Sequence, residues 1–323
     1  MTHSTLLAVL SMVKSVLRLP IGAIVLAALS LGGCDTASSG SAEDEVQVVA
    51  TSTILADLTT QVAGDAIELK SILNPGDDPH VYEPVPQDTI ALEKADLILY
   101  NGYNLEPNII KLIESAGANE RALAVGEVVK PLDFRYEGQT RPDPHVWGDV
   151  QNAIAMTNAI RDALIELSPE NESRFTENAR QLVEKLTALD SWTEDQIATI
   201  PQDKRELVST HDAFQYYASA YGLQVAGTLI GISTEEQPSA QTVSKLVEAI
   251  KSIGVPTIFA ETTINPALIQ TVAEEAGVKL ADQELYSDSI GAPGSDGDSY
   301  IKMIAANTCA IATALQGTCT PFK

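Results

Sequence analysis

From residue 46 onward, short runs rich in β-branched residues alternate with longer segments whose apolar positions recur at helical spacing. The short runs predict strands and the longer segments amphipathic helices. Residues 46–53 (VQVVATST) read as a strand, and 54–63 as a helix ended by Gly64. A strand over 67–73, a helix over 87–94 and a fully apolar strand over 96–100 (DLILY) follow. Next come a helix over 106–116 with Gly117 behind it, a strand over 121–125, a loop rich in Pro, Gly and charge, and a strongly amphipathic helix over 152–167. A glycine behind a helical run is a stop signal, because it enters the left-handed region at no steric cost. Strands spaced by helices imply βαβ units and a parallel sheet.

The pattern changes at Ser168-Pro169, a good helix start with Ser as cap and Pro in the first turn. No breaker follows until Pro201, and Phe175, Leu182, Leu186 and Leu189 form one stripe. A helix of about 30 residues spans roughly 45 Å, too long for a crossover within a small sheet. It reads as a rigid backbone between two lobes. Beyond it the first pattern returns. Strands over 206–210, 224–229, 256–261 and 278–281 alternate with helices over 213–221, 240–253 and 267–276, stopped by Gly222, Gly254 and Gly277. The loop 282–298, rich in Gly, Asp and Ser, leads to a last helix over 299–315. The expected fold class is therefore α/β. Two lobes (46–167 and 202–323), each a parallel-type sheet flanked by helices, are joined by one long helix within 168–201.

Residues 1–33 do not fit this pattern. Lys14 and Arg18 precede an 11-residue apolar run, 21–31, too short for a membrane span. Leu31-Gly32-Gly33-Cys34 then resembles the lipobox of bacterial lipoproteins, in which the signal is cut before a lipidated cysteine. An ordinary signal peptide with an incidental cysteine is the plainer alternative. Residues 34–45 are small, polar and acidic, and read as a flexible tether. The net charge of −24 argues against nucleic acid as a partner. The two remaining cysteines, Cys309 and Cys319, lie in an exported context that permits a disulfide. They meet only if the chain reverses at Gly317; otherwise both are free thiols.

The chemistry is carried by histidine. His80 lies in NPGDDPHVYEP (74–84), at the carboxyl end of a predicted strand. The centre of that stretch, DPHVY, returns 65 residues later as DPHVW, carrying His145, and His211 follows 66 residues further on in STHD. His3 belongs to the leader. A single histidine is usually structural or superficial. Here all three lie at strand ends where parallel sheets bind ligands, two of them in one pentapeptide pattern, and this predicts a shared metal ion. Asp78 and Asp143, two residues before each histidine, are placed to accept the second ring N–H. A fourth donor is offered by Asp282, Asp288, Asp296, Asp298 or Glu261. Tyr82, Trp147, Phe214 and Tyr216 read as core or cleft wall.

The blocks DPHVYEP, LILYNGYNLE, DPHVW, THDAF and SDSIG…GDSY together resemble the TroA-like metal-binding lipoproteins that feed ABC importers of manganese and zinc, over residues 46–315. The resemblance implies two α/β lobes on one rigid helix with one Mn2+ or Zn2+ between them. It implies His80, His145, His211 and Asp288 as ligands; Asp78, Asp143 and Glu261 are then expected to stand behind them. It also implies a permease and its ATPase as partners. Manganese-type members often carry Glu at the third ligand position, where this chain has His211. Zinc-type members often carry a His-rich loop, which this chain lacks. The missing loop and Asp288 tilt the expectation toward manganese; three imidazoles pull toward zinc.

The expectation is thus a binding protein rather than an enzyme, a monomer exported and held by a lipid on Cys34 at the outer face of the cytoplasmic membrane. Two rivals are a zinc metallohydrolase and a lipid-anchored surface adhesin. The first lacks an HExxH helix and a general base beside a ligand. For the second, nothing in the chain names a receptor.

Overall fold

The computed structural model describes residues 46–136 and 139–323. The leader 1–33, Cys34 and the tether to residue 45 lie outside them. In the first lobe, strand β1 (Gln47–Ala50) is followed by helix α1 (Thr53–Ala63), β2 (Glu68–Ser71), α2 (Pro86–Lys94), β3 (Leu97–Tyr100), α3 (Pro107–Ser115) and β4 (Ala122–Ala124). The strands form one parallel sheet in the order β2-β1-β3-β4. Helix α1 starts where the Ser52 hydroxyl accepts the Leu55 N–H, and stops at Gly64, whose φ is +62°. Because β1 pairs with β2 on one side and β3 on the other, a crevice opens beyond their carboxyl ends.

The charged loop before α4 (Val150–Leu167) departs from expectation: it contains an antiparallel hairpin, β5 (Asp133–Tyr136) with β6 (Gln139–Pro142). The described β6 side chains are mostly exposed, so no apolar alternation announced it.

Helix α5 (Glu172–Ala198) is the expected long helix, 27 residues and about 40 Å. Its start differs from expectation. Ser168 bonds the Glu170 carboxylate instead of capping, and a 3-10 turn, Pro169–Asn171, precedes α5. The buried stripe from Phe175 through Leu189 to Ile197 packs on α1 and α4 on one side. On the other it meets α6 (Gln215–Tyr221) and α9 (Tyr300–Ala314).

In the second lobe β7 (Glu206–Ser209) pairs with β8 (Gln224–Thr228) in parallel. After α7 (Ala240–Ile253), β9 (Thr257–Ile258) pairs in parallel with β10 (Lys279–Leu280), which follows α8 (Ala267–Ala276). The Phe259 N–H donates to Val208 O at 2.9 Å and stitches the two pairs together. The order β8-β7-β9-β10 thus repeats that of the first lobe. The predicted strand 256–261 is shorter than expected, since its last residues bend to bring Glu261 into a single bridge with Leu285.

Cys309 and Cys319 are bridged, with Cα atoms 5.2 Å apart. The reversal comes one residue earlier than the sequence suggested, at Gln316 (φ +71°), while Gly317 donates to Ala312 O at 2.8 Å. Gly317 is needed for another reason: a Cβ there would lie 2.6 Å from Thr199 Oγ1.

Candidate metal centre

Four loops meet between the lobes, each at a carboxyl strand end. They follow β2, the β5–β6 hairpin, β7 and β10, and they bring His80, His145, His211 and Asp288 together. All four are at most 2% exposed, and one donor atom from each lies within 4.8 Å of the others. His80 Nε2 is 3.2 Å from His145 Nε2. Asp288 Oδ1 is 3.4 Å from His145 Nε2, and Oδ2 is 3.2 Å from His211 Nε2 and 3.9 Å from His80 Nε2.

Each ring is aimed by its mount. Asp143 Oδ1 accepts both the backbone N–H of His145 at 2.9 Å and its ring Nδ1–H at 2.8 Å. Glu261 does the same for His211, taking the backbone N–H on Oε1 at 2.8 Å and the ring Nδ1 on Oε2. A carboxylate accepts and does not donate, so each Nδ1 carries a proton. That leaves Nε2 of the neutral ring with its lone pair pointing inward. Asp78 departs from expectation. Its Oδ1 takes the backbone N–H of His80 at 2.9 Å, but its Oδ2 accepts the hydroxyl of Thr234 from the other lobe, at 2.6 Å, and not the imidazole.

The electrostatics call for a positive charge at the centre. His211 Nε2 and both oxygens of Asp288 are buried without a hydrogen-bond partner. Burial, helped by the neighbouring rings of His145 and His211, pushes His80 down to about 3 against the pull of Asp288. Burial also acts to lower His211, but the Glu261 and Asp288 carboxylates outweigh it and hold that imidazole well above the ordinary histidine range. Burial acts to raise Asp288, yet the three rings, His211 first, hold it well below the carboxylate range. Both shifts favour a proton between His211 Nε2 and Asp288 Oδ2, 3.2 Å apart, at the place a cation would take. With metal–nitrogen bonds of 2.0–2.1 Å, a tetrahedral site has edges of about 3.3 Å. Three of the contacts above are 3.2–3.4 Å, two of them through different oxygens of Asp288, and every pair lies within 4.8 Å, so the donor set can close on one cation.

Of the other carboxylates offered by the loop after β10, Asp282 pairs with Lys279, Asp298 pairs with Lys302, and Asp296 is exposed; none reaches the centre. Glu261 stands behind a ligand. Tyr82 turns to Asp88 at 3.0 Å, and the Trp147 ring lies 5.4 Å from that of His145. Asn101 and Thr234 escaped the sequence reading. Asn101 Nδ2 donates to Pro144 O at 2.9 Å and fixes the His145 loop. The available signal was the segment 101–104 (NGYN) behind a buried strand, where Gly102, Tyr103 and Asn104 all take positive φ. A cleft of about 690 Å³, lined by Tyr103, Glu127, Phe134, Glu235 and Glu236 among others, reaches His80 from outside.

Comparison with known proteins reveals the same body elsewhere. The family described as ZnuA, zinc-uptake complex component A periplasmic, matches residues 48–314. The chain belongs to this family. Within it, the manganese ABC transporter substrate-binding lipoprotein scaA of Streptococcus gordonii is 35% identical over 303 residues, covering 90% of this chain and 96% of the relative. The manganese-binding lipoprotein MntA of Halalkalibacterium halodurans is 33% identical over 287 residues, covering 88% and 94%. Among solved structures, the periplasmic zinc binding protein TroA from Treponema pallidum superposes with a TM-score of 0.80 at 31% identity, covering 84% of this chain and 99% of that one. The expected α/β architecture and family are thereby borne out.

Proposed function

We propose that this protein captures one divalent cation, Mn2+ or Zn2+, outside the cytoplasmic membrane and passes it to the permease and ATPase of an ABC importer. The observation that carries the reading is the convergence of donor atoms from four buried residues, with His211 Nε2 and both Asp288 oxygens left without a hydrogen-bond partner outside the cluster. In it His80, His145, His211 and Asp288 are the ligands, and Asp143 and Glu261 orient two of the rings. The cation enters by the acidic cleft beside His80. Four protein donors close the site and leave no labile position for a substrate, which suits a carrier and not an enzyme. We read Cys34 as the lipid-bearing residue, which relatives named as lipoproteins support, 34–45 as its tether and the molecule as a monomer. The lobe limits of 46–167 and 202–323, with 168–201 between, belong to the same proposal.

We favour manganese as the cargo: the chain lacks a His-rich loop and supplies one hard carboxylate. The test is a competitive titration of metal-stripped residues 46–323 with Mn2+ and Zn2+ at neutral pH, the bound metal being counted by mass spectrometry. One equivalent with manganese held against competition supports the reading. One equivalent with zinc far ahead moves the cargo to zinc. Stoichiometric binding of neither refutes it.

A further inference from the structure

Asp288 is carried by the second lobe's chain, but that lobe touches its carboxylate only through another member of the centre, His211. Apart from the histidine Nε2 atoms of the centre, no protein group bonds its carboxylate, so its place is set largely by its backbone. Before it, the N–H and C=O of Tyr286 both bond the buried Asn307 side chain of α9, at 2.9 and 2.7 Å, and Ser287 Oγ makes a longer contact with Thr263 Oγ1 at 3.5 Å. From there the holding groups change sides. Ser287 O accepts the Trp147 indole N–H at 2.9 Å. Ser289 Oγ accepts the Gly76 N–H, from the His80 loop, at 2.9 Å. Ile290 N–H donates to Thr53 Oγ1, at the start of α1, at 3.1 Å.

The proton inventory of this node closes in one way. Ser289 Oγ donates its single hydrogen to Ile290 O at 3.1 Å. In the 3.0 Å contact between Thr53 Oγ1 and Ser289 Oγ, Thr53 is therefore the donor. Each hydroxyl then donates once, and every N–H aimed at the node is accepted. Both side chains are buried, Thr53 to 4% and Ser289 to 1% exposure, so a broken bond here is not simply replaced by water.

We propose that Thr53 and Ser289 are positioning residues which clasp the Asp288 loop to the first lobe, and that opening of this clasp is the step that releases the cation. The inference rests on the four-ligand reading above. Closed, the clasp holds Asp288 against the histidines. Open, it lets residues 287–290 swing about Tyr286 and takes the one anionic ligand away, while Asp143 still holds the His145 ring. Release then needs a loop shift and no separation of the lobes.

The experiment is stopped-flow Mn2+ dissociation into excess chelator, with association rate and stoichiometry measured alongside, on the parent, Thr53→Val, Thr53→Ser and Ser289→Ala. Thr53→Val keeps the shape and removes the hydroxyl, so dissociation should speed up about tenfold. Association should be nearly unchanged and one Mn2+ should still bind per chain. Ser289→Ala should behave alike, and Thr53→Ser should restore slow release. A variant that is merely misfolded would bind less Mn2+ per chain without a faster rate. Release from both Thr53→Val and Ser289→Ala at the parent rate overturns the clasp. So does equal acceleration in Thr53→Val and Thr53→Ser, which would place the effect in packing. A parent that binds no Mn2+ or Zn2+ refutes the four-ligand reading itself, and the clasp with it.

Discussion

Asp78-Pro79-His80 and Asp143-Pro144-His145 are written alike and begin alike: in each the aspartate accepts the histidine's own N–H at 2.9 Å. Beyond that bond they part. Asp143 is buried and turns the same oxygen onto the His145 ring, while the Tyr216 hydroxyl donates to its carbonyl at 2.8 Å. Asp78 is half-buried and spends its other oxygen on Thr234 across the cleft. One copy is a fixed mount, the other a tie between lobes. A shared local motif therefore sets the backbone turn, and the surroundings decide what the carboxylate does next. His80 correspondingly borders the entry cleft, where some freedom to move serves the arrival of a cation.

The comparison can be broken most directly at the ligands. His145→Ala and His80→Ala should each weaken Mn2+ binding by more than the roughly 10–100-fold typical of changes behind a ligand. Both should keep the far-ultraviolet dichroism of the parent. If either variant binds as tightly as the parent by titration, the centre lies elsewhere. One step back, Asp143→Asn should cost about 10–100-fold in affinity, because the His145 ring loses its charged acceptor. Asp78→Asn should cost clearly less, since that ring does not depend on it. Equal losses would erase the distinction between mount and tie.

Proton release sharpens the same contrast. His211 is held above the ordinary histidine range, so at neutral pH it carries a proton that the cation must expel. His80, pushed down to about 3, has none to give. Binding should release about one proton per cation near pH 7, and affinity should climb with pH up to the His211 pKa and flatten above it. Calorimetry in two buffers of different ionisation enthalpy reads this directly. Glu261→Gln removes the nearest negative charge from His211, lowers its pKa and should shrink the release. The smallest effect belongs to Thr234→Val, which leaves Asp78 without its partner across the cleft. A faster Mn2+ dissociation of a few-fold is expected, in line with one partly exposed hydrogen bond.

Much of this was legible before any coordinates. Helix ends at Gly64, Gly222, Gly254 and Gly277 were readable because each takes positive φ, for which glycine is the cheapest residue. The meeting of three histidines followed from where parallel sheets put their loops. Asp288 came from resemblance alone, since the loop after β10 offers four aspartates of the same chemistry and the one chosen is the one whose neighbours the first lobe grips. The Asp78–Thr234 bond spans 156 residues and leaves no local trace. The reversal at Gln316 was assigned to Gly317, because sequence reveals a preference for left-handed backbone but not the crowding by Thr199 that made glycine necessary.

The long helix has a consequence for how the molecule is made. One continuous core joins residues such as Leu58, Leu182, Tyr217 and Ile311, drawn from both lobes and the helix between them. A chain emerging amino end first has both histidine pentapeptides in hand long before it has α9 or the loop of Asp288. Until those arrive, the stripe from Phe175 to Ile197 has lost part of its cover and the anionic donor is absent. The unfinished chain is therefore a poor trap for metal, and the site is completed only with the last few dozen residues. Although the two halves share a strand order, each leaves part of this common core uncovered, and a fragment cut on either side of α5 should aggregate before it binds anything.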